Sequence, residues 1–311
     1  MTILPIPDKP YPDWSRFLKA VWMHGSMLTN MDPNRIDTAI NRACGSIKGS
    51  LTKRNESRQI RPSSFLGCGR QAYFMLQDET PADMPDNIGT TFAVGHLLHE
   101  VSYAAVQSAL PECFIAQVET AVDLPAWWPK GHPKFAESGT ADLVLSLADP
   151  QEWEQRNKAL GDFGAAAQYI NGVVLESQPK ILVDFKTMGG FTVRKHNKTV
   201  FGEDPDAFGY MAQLAVYAES LGIIDSGAVL AGINRDSLTQ PLAPRYIEPR
   251  ILKDELKRVK IAVEMALEGS DPGEEFLIRH DTDAYFQCGR GGKPGYCAFR
   301  AACRANPSGI Y

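Results

Sequence analysis

Residues 180–187 read KILVDFKT, an apolar run that ends in an acid, an aromatic and a base. A strand sends alternate side chains to opposite faces, so Asp184 and Lys186 share one face and Phe185 takes the other. A carboxylate beside an ammonium at a strand end suits one task. The carboxylate can hold a divalent cation, and the ammonium can stabilise a developing negative charge or help activate a water. Hydrolysis of a phosphodiester is therefore the leading expectation.

Working outward, the period-two patterning extends to CFIAQVETAVDL (113–124) and ESGTADLVLSL (137–147), which with KILVDFKT predict three strands. Upstream, TTFAVGHLLHEVSYAAVQSAL (90–110) carries a helical pattern with His99 and Glu100 in its second half. Downstream, DAFGYMAQLAVYAESLG (206–222) reads as an amphipathic helix, SGAVLAGINRD (226–236) as a strand, and PRILKDELKRVKIAVEMALEG (249–269) as a closing helix. The expected order is helix, three strands, helix, strand, helix. Residues 149–180 form an insertion between the second and third strands. Residues 1–60 read as a leader with one helix near Pro33–Ile47, and RPSSFLGCGRQAYFML opens another helix capped by Ser63 or Ser64. The expected division is a helical leader, 1–60, and one domain, 61–311, with its core at about 90–235.

The chain has 311 residues, 44% of them hydrophobic and 22% charged, enough for a sizeable core of ordinary globular composition. No run of about 18 apolar residues predicts a membrane span, and MTILPIPDKPYPDW lacks the pattern of a secretory signal, so a cytoplasmic location is expected. A net charge of −5 does not favour a surface that coats nucleic acid, although carboxylates that bind metal contribute to that sum. Basic residues cluster locally at Lys53, Arg54, Arg58 and Arg61, at Arg194, Lys195 and Lys198, and at Arg290, Lys293, Arg300 and Arg304. The second cluster begins eight residues after Lys186, near the expected site or in a solvated loop.

Three groups join Asp184 as candidate metal ligands or neighbours: His99 and Glu100 in HLLHE, and Asp142 in SGTADLVL. One imidazole and two carboxylates suit Mg2+ or Mn2+. Singly, each has a plainer explanation, such as a packed histidine, a polar strand end or a structural ion pair. Gln213 and Tyr217 lie four residues apart on one helical face, where they can position a phosphate, a water or a base. Together, Gly95-His96-Leu97-Leu98-His99-Glu100, Gly139-Thr140-Ala141-Asp142, Asp184-Phe185-Lys186 and Gln213-Leu214-Ala215-Val216-Tyr217 resemble the motifs of the PD-(D/E)XK nuclease superfamily, and within it the RecB-like nucleases. The resemblance covers about Ser63 to Cys303. It implies an α/β fold with a mixed central sheet flanked by helices. It also implies His99, Asp142, Asp184 and the Phe185 carbonyl as metal ligands, with Lys186 catalytic. Asp184 stands where many members carry Glu.

Six cysteines are present, and a cytosolic chain keeps them reduced. Cys288, Cys297 and Cys303 crowd into CGRGGKPGYCAFRAAC, and Cys68 is the best fourth thiolate for a tetrathiolate site. RecB-like nucleases of the iron–sulfur type place one Cys ahead of the core and three after it, the last two separated by five residues, as are Cys297 and Cys303. The resemblance thus implies a 4Fe-4S cluster stapling segments near 63–76 and 283–305; spacing alone leaves zinc as the alternative. Cys44 and Cys113 are expected to be packed thiols.

Trp127 and Trp128 either pack a loop or stack on bases. There is no P-loop, hence no helicase motor, and no sequence-reading DNA motif. The overall expectation is a metal-dependent deoxyribonuclease. Glu100 supports catalysis, and Gln213, Tyr217, Arg194 and Lys195 contact DNA. By family analogy it is an exonuclease acting on single strands or DNA ends, in recombination, repair, phage DNA processing or CRISPR-type assemblies. The competing expectations are a non-catalytic DNA-end-binding iron–sulfur protein and an RNA-directed nuclease.

Overall fold

The computed structural model describes residues 14–26, 30–52, 59–64, 70–79, 88–110, 114–148, 180–190, 193, 210–236, 242–272, 299 and 302. Five strands form one mixed sheet in sequence order: β1 (Phe114–Asp123), β2 (Ser138–Leu147), β3 (Lys180–Met188), β4 (Ala228–Asn234) and β5 (Leu242–Ile247). Only β3 and β4 run parallel, and α5 (Tyr210–Ser220) makes their crossover. The other described helices are α1 (Trp14–Gly25), α2 (Pro33–Thr52), α3 (Arg70–Leu76), α4 (Ile88–Ala109) and α6 (Pro249–Leu267).

Helices cover both faces of the sheet. On one face Phe17, Leu18 and Val21 of α1 and Tyr103, Ala105 and Val106 of α4 pack against Leu143, Val183, Phe185 and Ala231. On the other, Leu214 and Val216 of α5 and Leu252, Leu256 and Val263 of α6 cover Val144, Leu182 and Leu230. The segment expected as a leader therefore holds two helices, and the first belongs to the core. Its Phe17 ring lies 4.9 Å from that of Phe114.

The strands and long helices fall within a few residues of their sequence expectation, with three differences. The strand β5 was not expected, because Pro244 interrupts the run LAPRYI. It lies at the end of the strand order, paired on one side with β4, where a residue without an N–H is tolerated. Where a helix was expected from Ser63 or Ser64, Pro62–Ser64 form a 3-10 turn, and α-helix is described from Arg70. Cys44, expected to be packed, is exposed on α2, because Ala39 and Ala43 form the face that turns inward. Of the expected insertion 149–180, residues 149–179 lie outside the described residues, as does Cys113, and Lys180 already opens β3.

Two interruptions of the sheet shape its centre. The β1–β2 register runs from Phe114 opposite Leu147 to Asp123 opposite Ser138, but Glu119, opposite Asp142, has φ 47°. A glutamate in the left-handed region costs about 1 kcal/mol. At that level both strands exchange faces. Phe114 and Val118 pack on the α1/α4 side but Val122 on the α5/α6 side, and Leu143 and Leu145 on the first but Ala141 on the second. The second interruption is a fork. The β2–β3 ladder pairs Leu143–Ser146 with Lys180–Val183 and ends there, while β3 stays paired with β4 through Met188.

Candidate active site in the strand fork

The fork opens beside Asp142 and Asp184, and side chains enter it from both faces. Asp142 reaches across the gap: its Oδ2 accepts the Phe185 backbone N–H at 2.8 Å. A carboxylate thus takes a main-chain donor that β2 has stopped pairing. From the α4 side, His99 Nδ1 lies 3.7 Å from the same oxygen. The His99 ring is held against Phe185 and Tyr103, with centroids 6.3 and 6.4 Å away. Tyr103, one helical turn beyond His99, is buried, its ring edge-on to that of Phe185 with centroids 5.7 Å apart.

From the α5 side, Lys186 completes the arrangement. Its Nζ lies 3.0 and 2.8 Å from the two Asp184 oxygens and donates to Gln213 Oε1 at 3.2 Å. The Tyr210 ring sits 5.3 Å below the ammonium. Asp184 is only 2% exposed. Although close to Nζ, its Oδ2 accepts no hydrogen bond of good geometry. Tyr217 is buried, with a backbone hydrogen bond to Thr140. A Cβ on Gly139 would come within 2.6 Å of its ring, so glycine is what lets β2 approach this helix. Gln213 and Tyr217, expected to contact DNA, therefore hold Lys186 and the start of β2 from inside the protein.

Burial sets the electrostatics. It lowers His99 to about 4, with Lys186 adding in the same sense, so the imidazole is neutral at pH 7. Burial also raises Asp184 to about 6, against the opposing pull of Lys186, and raises Asp142, opposed by Lys186, the Phe185 N–H and Tyr103. For Lys186, burial acts downward, but Asp184 and Asp142 outweigh it and hold the ammonium above its ordinary value. Burial pushes Tyr103 far up and Tyr217 to about 12.

Glu100 lies behind His99, 3% exposed, with the Arg42 guanidinium of α2 3.8 Å away. Burial, then Glu119, raises it to about 7, and Arg42 opposes them. Tyr103, Arg42 and Glu119 were not singled out from sequence. For Tyr103 the signal was its spacing of four from His99. Arg42 and Glu119 left none, because their proximity arises from helix packing and from the switch of strand faces.

Among the described residues, no three His, Cys, Asp or Glu side chains are drawn together closely enough to hold a metal ion as they stand. A cation at Asp184 has to compete with the Lys186 ammonium for Oδ2. The donor chemistry does fit a hard divalent cation: a neutral imidazole, two carboxylates whose ionisation burial disfavours, and a buried carboxylate oxygen that accepts no hydrogen bond of good geometry.

Arg194, Lys195, Cys68, Cys288, Cys297 and Cys303 lie outside the described residues. Their neighbours do meet. Phe74 of α3 stacks on Phe299, centroids 5.9 Å apart at 28°. Arg70 forks onto Asp271 at 2.9 and 2.5 Å. Trp128 is a packing residue: its Nε1 donates to the Ala136 carbonyl at 2.9 Å and its ring stands edge-on to Phe135. No described helix is long and apolar enough to cross a membrane.

No family model matches this chain, and no curated protein matches it. A solved structure described as "Crystal structure of SSO0001" aligns over 85% of this chain and 94% of its own, at 16% identity and a TM-score of 0.42.

Proposed function

We propose that this chain is a metal-dependent deoxyribonuclease of the PD-(D/E)XK superfamily, RecB-like in its motifs. The observation that carries the reading is the convergence in one strand fork of His99, Asp142, Asp184, Lys186 and Gln213, residues drawn from α4, β2, β3 and α5. An ion pair serving the fold alone has no need of a neutral imidazole and a second carboxylate at the same gap. His99, Asp142, Asp184 and the Phe185 carbonyl would hold Mg2+ or Mn2+. When bound, the cation would lower the pKa of a water and neutralise charge on the scissile phosphate. Lys186, whose ammonium form Asp184 and Asp142 favour, would stabilise negative charge on the phosphate or help activate the water. Gln213 and Tyr210 aim the ammonium, and Tyr217 braces the β2 end that carries Asp142.

Cys68, Cys288, Cys297 and Cys303 would ligate a 4Fe-4S cluster. The Phe74–Phe299 stack supports this, because it joins the segment after Cys68 to the segment between Cys297 and Cys303. Bound iron with visible charge-transfer absorbance is the expected result; a colourless anaerobic preparation with stoichiometric zinc overturns the iron assignment.

The enzymatic test uses end-labelled single-stranded DNA with Mn2+. Wild type should cleave, Lys186→Ala and Asp184→Ala should not, and a chelator should abolish cleavage. Equal cleavage by all three proteins sinks the assignment, and faster digestion of a matched RNA redirects it to RNA.

A further inference from the structure

Two residues beside the fork run against the preferences of the elements that carry them, and they face each other. Gly95 lies inside α4, where only proline is a poorer helix former than glycine. Among the described residues, a Cβ added there would find only Thr187 Oγ1 within 4 Å, at 3.8 Å, an ordinary contact distance. Neither crowding nor a positive φ therefore requires glycine at this position. Opposite it, Thr187 follows Phe185 by two residues on β3 and takes the same α4-facing side. Its Oγ1 is buried and has no hydrogen-bond partner among the described residues. An unpaired buried hydroxyl is destabilising, and an apolar side chain of the same shape would avoid the penalty. Both choices are unfavourable to the fold, and both stand at one gap. Departures of this kind gather at functional sites. The gap adjoins the candidate site, since Thr187 follows Lys186 directly and Gly95 precedes His99 by four residues, about 6 Å along α4. Gly95 is half-buried, so the gap is open on its α4 side.

We infer that Gly95 and Thr187 form a subsite for the DNA backbone phosphate next to the scissile one. The Thr187 hydroxyl donates a hydrogen bond to a non-bridging phosphate oxygen, and the missing side chain at Gly95 leaves room for that oxygen. Threonine hydroxyls are ordinary phosphate partners, and such contacts fix the register of a strand without reading its sequence. The inference rests on the nuclease reading proposed above and adds to it how the strand is held beside Lys186.

The experiment compares the full chain with Thr187→Val and Gly95→Ala in two measurements. One is urea unfolding; the other is the Kd for labelled single-stranded DNA, followed by fluorescence anisotropy with Ca2+ in place of Mn2+. Both variants should keep a urea midpoint at or above that of wild type, because one removes an unpaired hydroxyl and the other a helical glycine. Both should nevertheless raise the Kd for DNA about tenfold, through loss of a hydrogen bond to a charged group or through a methyl in its place. An unchanged Kd in either variant overturns the inference and leaves the nuclease reading intact. A lowered urea midpoint in either variant, or failure to fold, also overturns it, because that residue then serves the fold. A wild type that neither binds DNA nor cleaves it with Mn2+ overturns the nuclease reading as well.

Discussion

The two sides of β3 differ sharply below Val183. Towards β4, the strand is paired residue by residue from Leu182 opposite Ala228 to Met188 opposite Asn234, and Ala228–Ile233 are all buried. Towards β2, the pairing stops at Val183, and the next residues face a gap filled by Asp142, His99, Lys186 and Gln213. One strand thus has a side built for stability and a side built for polar chemistry. Backbone hydrogen bonds that the ladder no longer makes are recovered by side chains, as the Phe185 N–H shows. On the proposed function, the fork is where a cation would bind without breaking the sheet.

The comparison is sharpened most by the double variant Lys186→Met/Asp184→Asn. If the pair serves chemistry, removing both charges should lower DNA cleavage by about 10³-fold, yet change the urea midpoint far less than removing one charge alone, since that would leave its partner buried and uncompensated. A cooperative loss of stability with cleavage retained would place the pair in the scaffold instead. Next in size, Phe185→Ala, between the two charged residues but pointing to the α4 face, should cost roughly 3–5 kcal/mol in urea unfolding. A smaller cost would mean that the sealed face is looser than its burial implies.

The smallest effect depends on pH. Glu100 is raised to about 7 in the folded chain against 4.5 when unfolded. The folded state then binds the extra proton between those values, so stability is fully present below 4.5 and falls as pH rises through 7. Glu100→Gln should therefore gain about 2 kcal/mol over metal-free wild type at pH 8 and nothing near pH 4. Urea titrations at the two pH values in the presence of chelator measure the difference, and parallel curves would refute it.

Most of the layers were legible along the chain. The strands β1 to β4 and helices α4 to α6 announce themselves through the period of their apolar residues, which is a local property. The switch from period two to a helical stripe and back gives the mixed α/β class. β5 escaped because Pro244 breaks its pattern, and its place at the sheet end is a tertiary fact. α1 escaped because its apolar stripe gains meaning only against Phe114 and the sheet face it covers. In the site, residue types with demanding chemistry, such as Asp184, Lys186, Asp142 and His99, could be nominated by spacing. Tyr103 looked like one more core aromatic until its ring was found beside both His99 and Phe185.

By itself the sequence determined which residues can do chemistry and which segments alternate or spiral, because both follow from side-chain type and local period. The tertiary structure alone decided that β2 and β3 part after Val183, that β1 and β2 exchange faces at Glu119 and Asp142, and that Lys186 lies between Asp184 and Gln213. These are relations between elements distant in sequence, governed by where a ladder ends and which face a helix covers, and neither is written in the residues of one strand.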